Sequence, residues 1–257
     1  MDLGIEGRVA LVAASTGGLG LAVATALAAE GARVVVTGRS LERAQQVAAT
    51  LPDAVARELD VDDPDAPARI VDEVGTSVGP IDVLVTNGPG PAPSEARSTS
   101  AEAFERASER LFAPQQRMIA AALPSMAARG WGRILAVGSS GIVAPLAGLA
   151  ASNVARAALA AYLKTLAGEV AADGVTVNLL LPGRIATDRV ASLDAAAAAR
   201  RGLDLETVQQ QSQAAIPARR YGRPDEFGAA AAFLCSRQAS YITGVALRCD
   251  GGLVPVL

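Results

Sequence analysis

Histidine is absent from this chain of 257 residues, and cysteine occurs only twice, at Cys235 and Cys249. Without histidine the chain has neither the commonest metal ligand nor the base of a Ser-His or Cys-His nucleophile. Two cysteines are too few for a disulfide framework or a structural zinc site. We therefore expect no metal, and proton transfer has to use another side chain or water.

Basic runs and long apolar segments are also scarce. The formal net charge is −3 with the charges interspersed, which is not the pattern of a nucleic-acid-binding surface. One uncharged run, Ile134 to Ala155, contains Pro145, several glycines and Asn153, so a buried strand followed by a loop explains it better than a membrane span. The amino-terminal residues form no apolar signal region. These features predict a cytoplasmic protein that acts on a small molecule and binds neither membranes nor nucleic acid.

Short β-branched runs alternate with longer, alanine-rich stretches. The predicted strands are Val9–Ala13, Arg33–Thr37, Ala56–Val61, Ile81–Thr86, Gly132–Gly138, Thr176–Leu181 and Gly244–Cys249. The predicted helices are Gly18–Glu30, Leu41–Leu51, Pro67–Val78, Ala101–Arg129, Ser152–Ala172 and Pro224–Arg237. Because strands joined by helical crossovers pair in parallel, the pattern predicts an α/β fold. We expect a single-domain, Rossmann-type doubly wound parallel sheet of about seven strands flanked by helices.

No linker or repeat divides the chain, so one domain is predicted over residues 1–257. One segment, Thr187 to Tyr221, departs from the alternation and is rich in Ala, Gln and Arg. A polar insertion of this length after a strand is a candidate lid over a site. A pair of surface helices is the alternative interpretation.

A glycine-rich turn follows the first predicted strand. Ala13 to Gly20 reads AASTGGLG and leads into an alanine-rich helix. Glycine there lets the backbone approach a pyrophosphate, and the free N–H groups at the helix start bind anions. The strand–turn–helix context favours a dinucleotide site, although glycine also occurs in such turns for steric reasons alone.

Further motifs along the whole chain resemble the short-chain dehydrogenase/reductase family. Its glycine pattern falls on Ala13 to Gly20, with Ala14 where the first glycine is usual, and its terminal motifs match GRPDEF, SYITG and DGG. Asn178 and the segment from Pro182 to Thr187 match another family motif, in which the Ile and Thr usually contact the nicotinamide amide. The resemblance implies this set of cofactor-binding residues: Ala14, Ser15, Thr16, Gly18, Leu19, Gly20, Asp60, Val61, Asn87, Pro182, Gly183, Ile185 and Thr187.

The end of the second predicted strand bears on which dinucleotide binds. Family members that prefer NAD carry an acidic residue there, whereas this chain has Gly38, Arg39 and Ser40. An arginine without a neighbouring carboxylate can bind a 2′-phosphate. We therefore expect NADP(H) to be preferred over NAD(H), with a solvated Arg39 as the alternative.

The catalytic positions depart from the family. The resemblance implies a Ser, Tyr and Lys, plus an Asn from the preceding helix, and only Ser139 is retained. Ser152 stands at the Tyr position, Arg156 at the Lys position and Leu111 at the Asn position. A serine hydroxyl is too weak an acid to replace a phenol, and arginine does not release a proton. Arg156 can still hold ribose hydroxyls or an oxyanion.

Each of these residues also has a structural interpretation. Ser152 could cap its helix, and Arg156 could pair with an acidic neighbour. The candidate catalytic residues are thus Ser139, Ser152 and Arg156, with Ser152 at most positioning a hydrogen bond.

The sequence is compatible with three functions. The favoured one is an NADP(H)-dependent carbonyl reductase in which the substrate or an ordered water supplies the proton. The others are a dinucleotide-binding protein without turnover and a non-redox enzyme such as a lyase, isomerase or dehalogenase. The helix after Ser152 carries small residues at Ala157, Ala158, Ala160 and Ala161, which allow close packing between subunits, so a homotetramer or homodimer is expected.

Overall fold

The computed structural model describes residues 2–90 and 93–256, so Met1, Pro91, Ala92 and Leu257 of the predicted domain lie outside the described residues. Seven parallel strands form one sheet in the order β3-β2-β1-β4-β5-β6-β7. The strands are β1 (Val9–Val12), β2 (Arg33–Gly38), β3 (Ala54–Glu58), β4 (Val83–Thr86), β5 (Gly132–Val137), β6 (Val175–Pro182) and β7 (Ala246–Cys249). The predicted single-domain, doubly wound fold is confirmed.

The α-helices lie between and after these strands. They are α1 (Gly18–Ala29), α2 (Leu41–Ala48), α3 (Ala66–Ser77), α4 (Ala101–Leu111), α5 (Ala113–Ala128), α6 (Ala150–Val170), α7 (Asp188–Arg201), α8 (Leu205–Ala214) and α9 (Pro224–Leu234). Across the described ranges, none of the helices is long and apolar enough to cross a bilayer.

Helices cover both faces of the sheet. Successive residues of a strand point to opposite faces, so each strand contributes apolar side chains to both sides. Leu11 and Leu84 pack in a core cluster with residues of α3, α5 and α6. Their neighbours Val12 and Val85 pack in a second cluster with residues of α1, α2 and α9. Strands buried on both faces explain the continuous apolar runs in the sequence.

The amino ends of the strands carry a stack of cationic and aromatic groups. Trp131, just before β5, has the guanidinium carbon of Arg8 at 4.1 Å from its ring centroid and that of Arg133 at 4.5 Å. Arg133 is buried and donates to the carbonyl oxygens of Gly132 and Ser236. The carbonyl dipoles and the face of the indole ring thereby stabilise the positive charge of Arg133.

The long helix predicted over Ala101–Arg129 is wrong, because the structure has two helices that meet at Phe112. Pro114 lies in the first turn of α5. A proline has no N–H to donate to the preceding turn and its ring clashes with that turn, whereas the first turn of a new helix accepts it. The first helix therefore ends before Pro114 and a second one begins.

The third strand is displaced from its predicted range of Ala56–Val61. It ends at Glu58, which pairs with Gly38, the last residue of β2. An edge strand cannot extend past its partner, so the apolar residues that follow serve another purpose. Leu59 is buried in the core, and Asp60 begins a turn.

The helix predicted from Ser152 begins earlier, at Ala150. Ser94, in the loop after β4, accepts hydrogen bonds from the amides of Ala150 and Ala151 through its carbonyl and its hydroxyl oxygen. A distant residue thus caps this helix, so the interpretation of Ser152 as its cap is wrong. The other predicted elements are present, with ends that differ by a few residues.

Candidate active site

The glycine-rich turn lies between the carboxyl end of β1 and α1. Ala14 adopts a φ of 50°, a conformation that suits glycine, and its N–H donates to Thr37 Oγ1 at 3.2 Å. Gly20 must lack a side chain, because a Cβ there would lie 2.2 Å from the carbonyl oxygen of Ala14. The turn is therefore folded tightly back on the start of α1.

Free backbone donors remain at the start of α1. Its N-cap, Gly17, provides no side-chain cap, and both Gly17 and Gly18 are exposed. The first N–H groups of a helix have no intrahelical acceptor. This exposed start of α1 fits a dinucleotide pyrophosphate, as the sequence predicted for Thr16, Gly18 and Leu19.

Ser15 differs from the rest of the turn because its hydrogen-bonding groups bind other residues of the fold. Its hydroxyl donates to Val12 O at 2.8 Å and accepts from Thr37 N at 2.9 Å. Its own N–H donates to Thr37 O at 2.9 Å. All donors of Ser15 are used within the fold, so this residue shapes the turn and has no hydrogen to offer a phosphate.

The ends of β2 and β3 form the next part of the site. Gly38 packs against Thr16, and a Cβ on it would lie 2.7 Å from the Thr16 methyl carbon. Arg39 is exposed and forms no ion pair with any carboxylate of the described residues. Ser40 caps α2 by accepting from Arg43 N at 3.2 Å. Arg39 is therefore an exposed cation at this end of the site, with no carboxylate partner among the described residues.

Asp60 and Asn87 follow β3 and β4 at the same edge of the sheet. Asp60 Oδ1 accepts from the amide of Asp62 at 3.0 Å, and Val61 packs against the core. Asn87 is half-buried directly after β4. Strand order reverses between β1 and β4, the place where open α/β sheets bind ligands.

Ser139 and Arg156 meet after β5. Ser139 Oγ accepts from Gly141 N at 3.1 Å, which leaves its proton available to a substrate oxygen. Arg156 Nη1 donates to the carbonyl oxygen of Gly138 at 3.0 Å, beside Ser139. Burial, with a smaller contribution from the charge of Arg189, lowers the pKa of Arg156. The predicted alternative of an acidic partner is wrong, since backbone carbonyls hold this guanidinium.

Ser152 and Leu111, which stand at the Tyr and Asn positions of the family, are both buried. Ser152 is buried in the first turn of α6. Leu111 is 1% exposed and packs with Ala151 and Ala155 of α6. An aliphatic side chain thus stands where the resemblance implied an amide that can hold water.

The three tyrosines of the chain lie elsewhere. Tyr162 packs edge-to-face on Phe112, with ring centroids 5.6 Å apart, and burial raises its pKa. Tyr221 donates to Asp194, and Tyr241 is fully exposed. Neither cysteine replaces them, because Cys235 is fully buried, which raises its pKa to about 12, and burial also raises the pKa of Cys249. No described phenol is therefore placed as a proton donor at Ser139.

The segment after β6 forms one border of the site. A Cβ on Gly183 would lie 2.6 Å from the Cα of Asp250, so Pro182 and Gly183 sit tightly against the start of the DGG motif. Ile185 is buried and bridges to Gly222, and Thr187 is the N-cap residue of α7. The predicted segment Thr187–Tyr221 contains α7 and α8; its movement as a lid stays a prediction.

Sequence reasoning missed two residues at this end, Asp194 and Arg189. The carboxylate of Asp194 in α7 is fully buried and binds both the guanidinium of Arg184 and the hydroxyl of Tyr221. Arg189 of α7 lies over the loop after β4, since a Cβ on Gly90 would lie 3.6 Å from its Nη2. No periodicity or motif singles these residues out. In residues 2–90 and 93–256 there is no group of side chains suited to a metal.

Known proteins share this architecture over the full chain. A family model described as enoyl-(acyl carrier protein) reductase matches residues 13–254. Nodulation protein G of Azospirillum brasilense is 33% identical over 96% of this chain and 98% of its own. The 3-oxoacyl-[acyl-carrier-protein] reductase FabG of Escherichia coli is 32% identical over 99% of this chain and 100% of its own.

Solved structures of other proteins have the same fold. L-sorbose reductase from Gluconobacter frateurii, complexed with NADPH and L-sorbose, superposes with a TM-score of 0.94 at 32% identity over the full length of both chains. A variant of actinorhodin polyketide ketoreductase with NADPH gives a TM-score of 0.90 at 29% identity, covering 96% of this chain and 97% of its own. The chain therefore belongs to the short-chain dehydrogenase/reductase family of NAD(P)-dependent oxidoreductases.

Proposed function

We propose that this protein reduces a carbonyl group of a small molecule to an alcohol, prefers NADP(H) over NAD(H), and takes the proton from water or from the substrate. Ser139 beside Arg156, with no tyrosine near them among the described residues, is the observation that carries this proposal. Relatives named as a sorbose reductase, a polyketide ketoreductase and a 3-oxoacyl reductase support the reaction type, and two of those structures contain NADPH.

Cofactor preference rests on the end of β2. Arg39 is exposed and pairs with no carboxylate of the described residues, and the last residue of β2 is Gly38, packed on Thr16, where NAD-preferring members carry an acidic residue. A ribose 2′-phosphate would receive charge-assisted hydrogen bonds from the guanidinium. The start of α1 then holds the pyrophosphate, and Asp60, Asn87, Ile185 and Thr187 line the remaining cofactor site.

The bound cofactor supplies the hydride, and the chain's own residues hold the carbonyl. Ser139 can donate its hydroxyl proton in a hydrogen bond to the carbonyl oxygen, because its Oγ accepts from Gly141 N and donates to no group of the described residues. The fixed charge of Arg156, one residue away at Gly138 O, stabilises the developing oxyanion or the ribose hydroxyls. Arg156 moves no proton, and Ser152 is buried beside it as a positioning group at most.

Loss of a positioned general acid costs about 10²–10⁴ in rate, while proximity retains a large share of catalysis. We therefore propose a slow reductase for ordinary ketones.

We further propose that the protein is a cytoplasmic homo-oligomer. Both cysteines are free thiols, as expected of a reducing compartment.

The proposal is tested with purified protein in two steps. Calorimetric titration with NADPH and NADH establishes binding, and loss of nicotinamide absorbance with a panel of aldehydes, ketones and oxo acids establishes reduction. We expect binding of NADPH and turnover of at least one carbonyl class. Binding without turnover of any carbonyl would favour a dinucleotide-binding protein, and no binding of either cofactor would refute the proposal and reopen a non-redox reaction on this scaffold.

A further inference from the structure

Two arginines from different helices lie at the carboxyl ends of the central strands. Arg156 of α6 reaches the end of β5, where its Nη1 donates to Gly138 O at 3.0 Å. Arg189 of α7 reaches the loop after β4, where its Nη2 would lie 3.6 Å from a Cβ on Gly90. Arg189 is close enough to contribute to the lowered pKa of Arg156. The fold thus brings two like charges together at one side of the active site.

Neither charge has a carboxylate partner in the part of the chain that the structure describes. Two other arginines do have carboxylate partners: Arg184 pairs with Asp194, and Arg110 pairs with Asp62 at 2.8 Å. Within the described ranges, no carboxylate lies at ion-pair distance from Arg156 or Arg189. Carbonyl contacts use one nitrogen of Arg156, so its other N–H groups remain available. Two unpaired cations at this edge of the sheet, the half-buried Arg156 and the exposed Arg189, attract an anion.

The position of the pair indicates which molecule carries that anion. The 2′-phosphate proposed for Arg39 lies at the end of β2, and the pyrophosphate at the start of α1. Arg156 instead adjoins Ser139 through Gly138, on the β5 side of β4. An anion held here sits next to the carbonyl that Ser139 binds, and thus belongs to the same small molecule.

We propose that the substrate is a small oxo acid, whose carboxylate is held by Arg156 and Arg189 while its ketone faces Ser139. Arg189, on the segment predicted to be a lid, then acts as a specificity-determining residue that selects charged over neutral ketones. This inference rests on the proposed reductase function and adds the substrate class to it. Guanidinium groups suit the geometry of a carboxylate because they offer paired, coplanar donors.

The test compares acids with their uncharged esters. The protein saturated with NADP⁺ cannot reduce a ketone, so calorimetry can measure binding alone for pyruvate, acetoacetate and levulinate and for their methyl esters. We expect at least one acid to bind tenfold or more tightly than its ester, with the difference reduced by added salt. Arg189→Gln should abolish that difference. Arg200→Gln, an exposed arginine in the last turn of the same helix, is the matched control and should preserve it.

Kinetics with NADPH provides the second readout. Arg189→Gln should raise KM for the preferred acid about tenfold or more, while KM for the esters and the dissociation constant of NADPH stay unchanged. Equal binding of acids and esters by the unmodified protein would overturn the inference while leaving ester reduction, and thus the reductase function, intact. Weaker NADPH binding in Arg189→Gln would also overturn it, because Arg189 would then contact the cofactor. A protein that binds no cofactor and reduces neither acids nor esters would refute the reductase function itself.

Discussion

The hydroxyl of Tyr221 donates a hydrogen bond of 2.8 Å to the fully buried carboxylate of Asp194. The same carboxylate pairs with Arg184, which directly follows the Pro182-Gly183 turn. One acidic side chain thus joins α7 to the end of β6 and to the segment after α8. Tyr221 is thereby engaged in structure, which agrees with the absence of a catalytic role for it.

This relationship predicts a large effect on stability. Removing one partner of a buried ion pair costs about 3–5 kcal/mol, so Asp194→Ala should lower the free energy of unfolding by about that amount. Tyr221→Phe removes only a hydrogen bond to a charged group and should cost about 1.5–3 kcal/mol. Urea unfolding measures both. Tyr241→Phe, at a fully exposed tyrosine, is the control and should change nothing. A Tyr221→Phe protein as stable as the parent would contradict the structural role.

Arg39 should determine which cofactor binds. We expect Arg39→Ala to weaken NADPH binding about tenfold or more, the loss expected for hydrogen bonds to a charged group, and to leave NADH binding unchanged. Titration calorimetry with both cofactors measures this. Arg43→Ala, an exposed arginine in the following helix, should leave both affinities unaltered. Equal binding of the two cofactors by the parent protein would remove Arg39 from the cofactor site.

Ser139 and Ser152 should differ sharply in their effect on turnover. Ser139→Ala should lower kcat about 10²–10³-fold, by analogy with the loss of one oxyanion donor. Ser152→Ala should be mild, because in our proposal no proton passes through this hydroxyl. Steady-state kinetics with the cofactor dissociation constant as a control distinguishes them. A collapse of kcat in Ser152→Ala, with affinity and folding intact, would show that Ser152 carries the proton.

The replaced pair can also be rebuilt. Ser152→Tyr combined with Arg156→Lys restores the residues that the family resemblance implied at these positions. We expect this double variant to gain activity on simple ketones, because a phenol can donate the proton that serine cannot. Circular dichroism checks folding, since Ser152 is buried and the larger ring must fit in its place. A folded, cofactor-binding double variant with no gain would show that the missing phenol is not what limits the reaction.

Association of subunits is the remaining prediction. Ala157, Ala158 and Ala161 of α6 are exposed and small, and Val154 nearby is 52% exposed. Such a surface allows close helix packing between copies, and symmetric pairs are the usual soluble oligomers. Light scattering should give a dimer or tetramer. A monomer near 25.9 kDa at micromolar concentration would be the opposite result.

Local patterns were enough to predict the sheet and the phosphate turn, because burial on two faces and the strand–turn–helix order leave direct marks in the sequence. The break at Phe112 could have been read from Pro114. The cap that Ser94 places on α6 could not, because it comes from the loop after β4. The same holds for Arg189, whose position beside Gly90 depends on how α7 crosses the end of the sheet. Long-range placement of this kind has no local periodicity to reveal it.

Trp131, the single tryptophan of the chain, has the guanidinium groups of both Arg8 and Arg133 packed against its ring. Because two cations lie against one indole, the fluorescence emission of Trp131 depends on their distance from the ring. Unfolding of the amino end of the sheet should therefore change both the intensity and the wavelength of that emission. The candidate active site lies at the other end of the strands. With the oxidised cofactor, intrinsic fluorescence therefore follows the integrity of the fold without responding directly to occupancy, and gives an optical probe that keeps unfolding and ligand binding separate.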